Sequence, residues 1–143
     1  MNIKKQAQKL EQLLEDELKT KVPLLPLKDG SIVYKTYKIK KDSNNNWNLM
    51  HFRGDLVDTF NLKASAILAA KYYNSNQLTN YNHVKNLDVK YWTNSNDAYI
   101  FSKKFKNTKD INKKMIYVSR YELTNSRAAN CKQEIISLFT HNF

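Results

Sequence analysis

Apolar residues recur along this chain with two periods, one near 3.6 residues and one of about 2, and the switches between them divide it into elements. From Asn2 to Lys19 the apolar positions Ile3, Ala7, Leu10, Leu14 and Leu18 fall three or four residues apart, with Glu11, Glu15, Asp16 and Glu17 off the stripe. That spacing predicts an amphipathic helix. Pro23 and Pro26 end it, because each lacks a backbone donor and restricts the residue before it. The segment "KVPLLPLKDG" reads as an extended connector, tacked to the core by Leu24, Leu25 and Leu27.

The period then changes to two. "SIVYKTYKIKK" (31–41) is rich in β-branched and aromatic residues and predicts a strand, with Val33, Tyr37 and Ile39 on one face and Lys38 and Lys40 on the other. "DSNNN" makes a polar turn. "WNLMHF" predicts a second strand in which Trp47, Leu49 and His51 alternate with Asn48, Met50 and Phe52, and "LVDTF" a third. Gly54 supplies the turn between them. Residues 31–60 thus read as a three-stranded antiparallel meander. Asn61 is the expected N-cap of "LKASAILAAKYY", whose alanines make a thin helix that can lie across one face of the meander. Trp47 and Leu49 are expected beneath it, and Met50 and Phe52 on the other side, under the C-terminal helices.

The remainder returns to helical spacing. Tyr81, Val84, Leu87, Tyr91, Ala98, Phe101 and Phe105 form one stripe, weakened at Thr93–Asn96, where a break or kink is expected. Asp110 is the expected cap of a last helix carrying Ile111, Met115, Val118, Tyr121, Ala128, Cys131, Ile135 and Leu138. "KMIYVSRYEL" also has strand-forming composition, but the long helical phase beyond it favours helix. The fold class expected is α+β in a single domain over residues 1–143. It comprises an N-terminal helix (1–20), a β-meander (31–60) and a helical remainder (61–143) with the Ala-rich helix and two or three C-terminal helices.

Composition narrows the function. With 143 residues and 41% hydrophobic content the chain can bury one core without a staple. A lone Cys131 excludes an intrachain disulfide, and no apolar run is long enough to span a membrane. No signal peptide is legible at the start. An intracellular protein is expected, not secreted and with no membrane partner; if the source is viral, it works in the host cytoplasm.

Little here points to catalysis. His51, His83 and His141 lie in different elements with no ligand at metal spacing beside them. The pairs Asp55 with Asp58 and Asp88 with Asp97 lack any accompanying phosphoryl-transfer motif, and structural or solvated roles are expected for them. Two glycines, Gly30 and Gly54, cannot build a phosphate-cradling loop. Cys131 sits in an apolar stripe as a small hydrophobe, and Arg53–Asp55 reads as a tight turn. No enzyme, catalytic residue, metal, cofactor or small-molecule substrate is expected.

The net charge of +11 raises an anionic partner, tempered by the predominance of lysine: 21 Lys against three Arg, with abundant Asn, is also what an AT-rich genome produces. Lys35, Lys38, Lys40, Lys41 and Arg53 are the candidate nucleic-acid-binding residues, on a meander face turned from the helix, with Trp47 or Phe52 as stacking groups if exposed. The competing expectation is a solvated edge that blocks sheet aggregation. A second basic run, "SKKFKNTKDINKK", surrounds the junction of the last two helices.

Trp47 opening strand two, Phe60 closing strand three and "LKASAILAA" after it resemble the small DNA-binding domain at the start of many tyrosine-type integrases, over about forty residues. The chain from Leu27 to Phe143 is also similar to small uncharacterised proteins of T4-like marine phages, through "DGSIVYKTYKI", "LKASAILAAKYY", "LDVKYW" and "RYELTNSRA". The second resemblance implies a viral or marine bacterial source and no particular activity. The expected function is a small basic accessory protein that binds nucleic acid. The alternative is a structural protein, self-assembling through its aromatic helices or virion-associated.

Overall fold

A computed structural model describes residues 24–143, so the helix expected over Asn2–Lys19 lies outside the described residues. The described chain is α+β. Strands β1 (Leu24–Pro26), β2 (Ile32–Tyr34), β3 (Tyr37–Lys41), β4 (Trp47–His51) and β5 (Leu56–Phe60) form one antiparallel sheet in sequential order. Helices α1 (Lys63–Asn74), α2 (Leu78–Asn107) and α3 (Ile111–Asn142) follow.

The sheet has two more strands than the periodicity indicated. The connector contributes an edge strand, with Leu24 opposite Tyr34 and Leu25 opposite Val33; Pro26 is tolerated because an edge leaves one side of the strand unpaired. Residues 31–41 fold back on themselves at Lys35–Thr36, pairing Tyr34 with Tyr37. Lys35 takes a left-handed φ of 51° to make that turn. The hairpin resets the alternation. Ile32 and Tyr34 therefore join Tyr37 and Ile39 on the buried face, and Val33 goes to the other side, opposite Lys38. The expected grouping of Val33 with Tyr37 fails because the count of two ran straight through a turn.

Helix α1 lies across the inner face. Ala66, Ile67, Ala69 and Ala70 close on Ile32, Tyr34, Tyr37, Ile39, Leu49 and Phe60, while Leu68 and Tyr72 face Val84, Leu87 and Ile135 of the long helices. The alanines bring the helix axis close to the sheet. Each fully buried large side chain, such as Leu49 or Ile39, adds roughly 1.5–3 kcal/mol. Trp47 packs at the rim of this core and is only half-buried, with the Lys41 and Lys63 ammonium groups 5.8 and 5.4 Å from its ring centre. Phe52 is 60% exposed. The C-terminal helices do not cover it, because they stack behind α1 on the inner side.

Two carboxylates join the sheet to the helices. Asp88, on α2, is fully buried. Its Oδ2 accepts the Asn61 backbone N–H at 2.8 Å and the Asn61 side-chain amide at 3.0 Å, and its Oδ1 accepts the Leu62 N–H at 3.0 Å. Asn61 is thus a donor to a distant carboxylate and not the cap expected of it; the cap position is Leu62, without a side-chain bond. Asp58 on β5 accepts from the Tyr81 hydroxyl at 2.5 Å and from Lys85 Nζ at 2.9 Å, and Lys85 also reaches the Thr59 carbonyl. Burial acts to raise the Asp58 carboxyl, but the bonds from Tyr81, Lys85 and the Thr59 N–H and the Lys85 charge outweigh it and hold it below the ordinary value. Burial, then the Asp58 bond and charge, push the Tyr81 phenol upward.

Asn76, at φ 58°, turns the chain from α1 into α2 and lets the Gln77 N–H reach the Tyr72 carbonyl at 2.8 Å, a Schellman-type stop. Helix α2 then runs unbroken through Thr93–Asn96, where a break was expected. Asp110 caps α3 as expected, accepting from the N–H groups of Asn112 and Lys113 at 3.0 and 3.4 Å. At the far end of α3, Lys71 donates to the Asn142 carbonyl at 2.6 Å and Phe143 meets Tyr34 edge-on. The segment "KMIYVSRYEL" is helix throughout.

Replacing Asp88 with Ala should lower the unfolding free energy by about 3 kcal/mol, because buried donors at the β5–α1 junction lose their acceptor. Asp88→Asn, which keeps one carbonyl oxygen, should cost less; urea titration followed by circular dichroism checks both. Asp58 has a folded pKa below its unfolded one. Its contribution is complete above the unfolded value, near pH 4, and lost as pH falls through the folded one. The stability gap between the wild type and Asp58→Asn should therefore stay constant from neutral pH down to about pH 5 and shrink below about pH 4.

Candidate nucleic-acid interface on the outer sheet face

Among the described residues no helix packs on the outer face of the sheet. One row runs straight across it: Leu25, Val33, Lys38, Met50 and Leu56, each opposite the next. A second row holds Lys40, Asn48 and Thr59, in which the Thr59 hydroxyl donates to Asn48 Oδ1 at 3.1 Å. An irregularity at Leu49/Met50 shifts the β4–β5 register and bends that corner.

The turns at one end of the sheet rise beside this surface. The Phe52 N–H donates to the Thr36 carbonyl at 2.8 Å, tying the β4–β5 turn to the β2–β3 turn. Gly54, at φ 112°, closes the β4–β5 turn, which makes Arg53–Asp55 the tight turn expected. Between the two turns and the strands lies an open groove of about 860 Å³, floored by Leu25, Leu27 and Val33 and bounded by Lys35, Thr36, His51, Phe52, Arg53 and Asp55. Its lining is mostly apolar, with two cations, Lys35 and Arg53, and one carboxylate, Asp55, at its margin. Phe52, 60% exposed, lines the groove.

The five basic residues singled out from the sequence do not form one patch. Lys35 and Arg53 come together at the groove, on facing turns. Lys38 and Lys40 lie on the outer face, where each Nζ is 3.9 Å from Asp29 Oδ2. The Ser31 hydroxyl and N–H, at 2.5 and 3.0 Å, and after them the two lysines hold the Asp29 carboxyl below its ordinary value. One carboxylate thus offsets part of the charge of two lysines. Lys41 is one residue out of phase with Lys40 and stands at the opposite end, over the Trp47 ring. Trp47, flanked by two lysines at the core rim, belongs to a different surface from Phe52.

Sequence reasoning passed over Asp29, Leu25 and Leu27 as parts of this face. Only the pairing of the connector as β1 brings them there. The second basic run forms the tip of the α2–α3 hairpin: Lys103, Lys104 and Lys106 end α2, and Lys113 and Lys114 open α3. Among the described residues no three His, Cys, Asp or Glu side chains gather as a metal would require, and no helix is long and apolar enough to cross a membrane. No family model, curated protein or solved structure matches this chain.

Phe52→Ala and Arg53→Ala should each leave stability within about 0.5–1 kcal/mol of the wild type, because neither side chain carries core packing. Thermal and urea melts check this, and a larger loss from Phe52→Ala would mean that its ring is covered in solution.

Proposed function

We propose that this protein is a small, non-enzymatic accessory protein that binds nucleic acid across the outer face of its sheet. The observation that carries the reading is the groove itself, an apolar floor with an exposed aromatic ring between Lys35 and Arg53. Unpaired bases offer flat apolar faces beside regularly spaced phosphates, and such a groove matches both: Phe52 stacks a base while the two cations meet the flanking phosphates. Lys38, Lys40, Asn48 and Thr59 extend the polar part of the track along the sheet. A net charge of +11 favours the encounter at long range. The apolar groove favours a single strand over a duplex, whose bases are stacked away.

Fluorescence anisotropy with labelled single-stranded DNA, single-stranded RNA and duplex DNA tests this. Single strands should bind more tightly than the duplex, with affinity falling steeply as salt rises. Arg53→Ala and Lys35→Ala should weaken binding and flatten the salt dependence by about one counterion each, at a slope near 0.7 per contact. Phe52→Ala should weaken binding with the salt dependence unchanged, since stacking releases no ions. Asp29→Asn should strengthen binding by releasing Lys38 and Lys40. Absence of binding to all three probes at about 50 mM salt would overturn the proposal.

A further inference from the structure

The outer face of the sheet carries apolar surface well beyond the groove. Leu25, Val33, Met50 and Leu56 stand in one row broken only by Lys38, and Leu27 and Phe52 border it. Leu56 and Phe52 are 61 and 60% exposed. A sheet buries an apolar face against another layer, and among the described residues no helix supplies one here. The row crosses five strands, a width of about 19 Å at the usual strand spacing. The chain itself arrives beside this face. Leu24 pairs with Tyr34, the last residue before the β2–β3 turn, so residue 23 joins the edge strand at the end of the sheet where the groove opens.

We infer that the segment Asn2–Lys19 of the same chain docks on this outer face with its apolar stripe over the row, and that it competes there with a single strand. The docking stands on its own observations; the competition rests on the nucleic-acid reading above. Three features favour this occupant. The first is reach. Thr20–Pro23 are four residues and span about 14 Å at full extension. That leads from the edge strand onto the adjoining outer face, whereas the inner side is filled by α1 and the long helices. The second is length. On a helix, Ile3 to Leu18 cover about 22 Å, against about 19 Å for the row. Laid across the strands from β1, the segment sets Leu18 and Leu14 over Leu25 and Val33, and Leu10, Ala7 and Ile3 toward Met50 and Leu56. The third is charge. Residues 10–18 read "LEQLLEDEL", four carboxylates without a cation. The 100° step of a helix puts Glu11 and Glu15 on one border of the apolar stripe and Glu17 on the other. The row has cations on both its sides, Lys35 and Arg53 at the groove margin and Lys40 in the neighbouring row, with Lys38 inside it. Asp29 and Asp55 offset that charge only in part. Docked in this way, the carboxylates take the place of phosphates and the leucines the place of bases.

A nitroxide on Gln12→Cys, in the full chain carrying Cys131→Ser, tests the docking by methyl NMR. The methyl signals of Leu25, Val33, Met50 and Leu56 should broaden, those of Val84 and Ile135 behind α1 should not, and adding Leu14→Ser should abolish the effect. Outer-face signals that stay sharp, or broadening spread evenly over both sets, overturn the inference. So does broadening that also appears when the nitroxide and the isotope label are on different molecules, because the occupant is then another copy's segment. Fluorescence anisotropy with labelled single-stranded DNA tests the competition. If the segment covers the face three-quarters of the time, Leu14→Ser should lower the apparent Kd about fourfold. Glu11→Gln, Glu15→Gln and Glu17→Gln combined should act in the same direction. An unchanged Kd in both variants overturns the competition. The two readings fail separately. Broadened outer-face signals with no strand bound by any variant uphold the docking and sink the nucleic-acid reading; sharp signals with tight binding do the reverse.

Discussion

The carboxylate of Asp88 is the constraint on which the arrangement of layers depends. Removing a charge from water costs several kcal/mol, and the attraction to groups around it must repay that. Here the return comes from three N–H donors on two consecutive residues, Asn61 and Leu62, where the chain leaves the sheet for α1. The bond set is therefore also a directional clamp. It fixes the exit from β5 relative to α2, so α1 can only run between the sheet and the long helices. One and two turns earlier on α2, Lys85 and Tyr81 grip Asp58 on β5. At the other end of α1, Lys71 and Tyr72 meet Asn142. With both ends of α1 held, every helix of residues 24–143 stacks on one side of the sheet.

That stacking leaves two surfaces of unlike character. A sheet and a helix pair each need a layer on their apolar side, and α1 serves both at once. It is only 12 residues long, against 30 and 32 for α2 and α3. The long helices therefore outrun the layer that covers them. The outer sheet face is apolar at its floor, with Lys35, Arg53 and Asp55 at one end. The distal hairpin is aromatic and aliphatic along one flank.

The periodicities carried the class of the fold but not its turns. A two-residue hairpin is announced in a sequence by Asn-Gly or a similar pair. Lys35-Thr36 is not such a pair, and Lys35 takes a positive φ without the usual residue type, so one long strand stood in for two. The break expected at Thr93–Asn96 came from weak helix formers. Propensity differences of a few tenths of a kcal/mol per residue cannot interrupt a helix that α3 supports along its length. Asp88 sits between Leu87 and Val89 in a helical stripe, and only the tertiary approach of Asn61 explains a buried carboxylate there. The candidate site was legible in the same uneven way. Arg53 was placed on its turn, whereas Lys35 was read into a strand and reaches the groove only through the hairpin that the alternation ran past. Lys41 was assigned to the wrong surface, and the pairing of Lys38 and Lys40 with Asp29 depends on a strand that Pro26 had concealed.

The large positive charge, taken alone, overstates what is available to a partner. Lys41 and Lys63 lie over Trp47, Lys103 over Tyr99, Lys104 over Phe101 and Lys114 over Phe105. In each case the ammonium stands within 6 Å of the ring centre and gains an attraction of roughly 0.5–1 kcal/mol. Part of the lysine charge is thus engaged with aromatic rings of this chain. Of the five basic residues on the meander, Arg53 alone has neither an ion pair nor a ring partner among the described residues. Lys35 stands 5.7 Å from the Tyr34 ring centre. A cation over a ring still presents its outer N–H groups to solvent, and contact with a phosphate at low salt outweighs so small an attraction. Arg53, with its planar fork of donors, has no such ring to leave among the described residues. The strength of a basic surface is set by how many cations can turn toward the ligand, and on this sheet the groove between the two turns is where they are fewest to count and least encumbered.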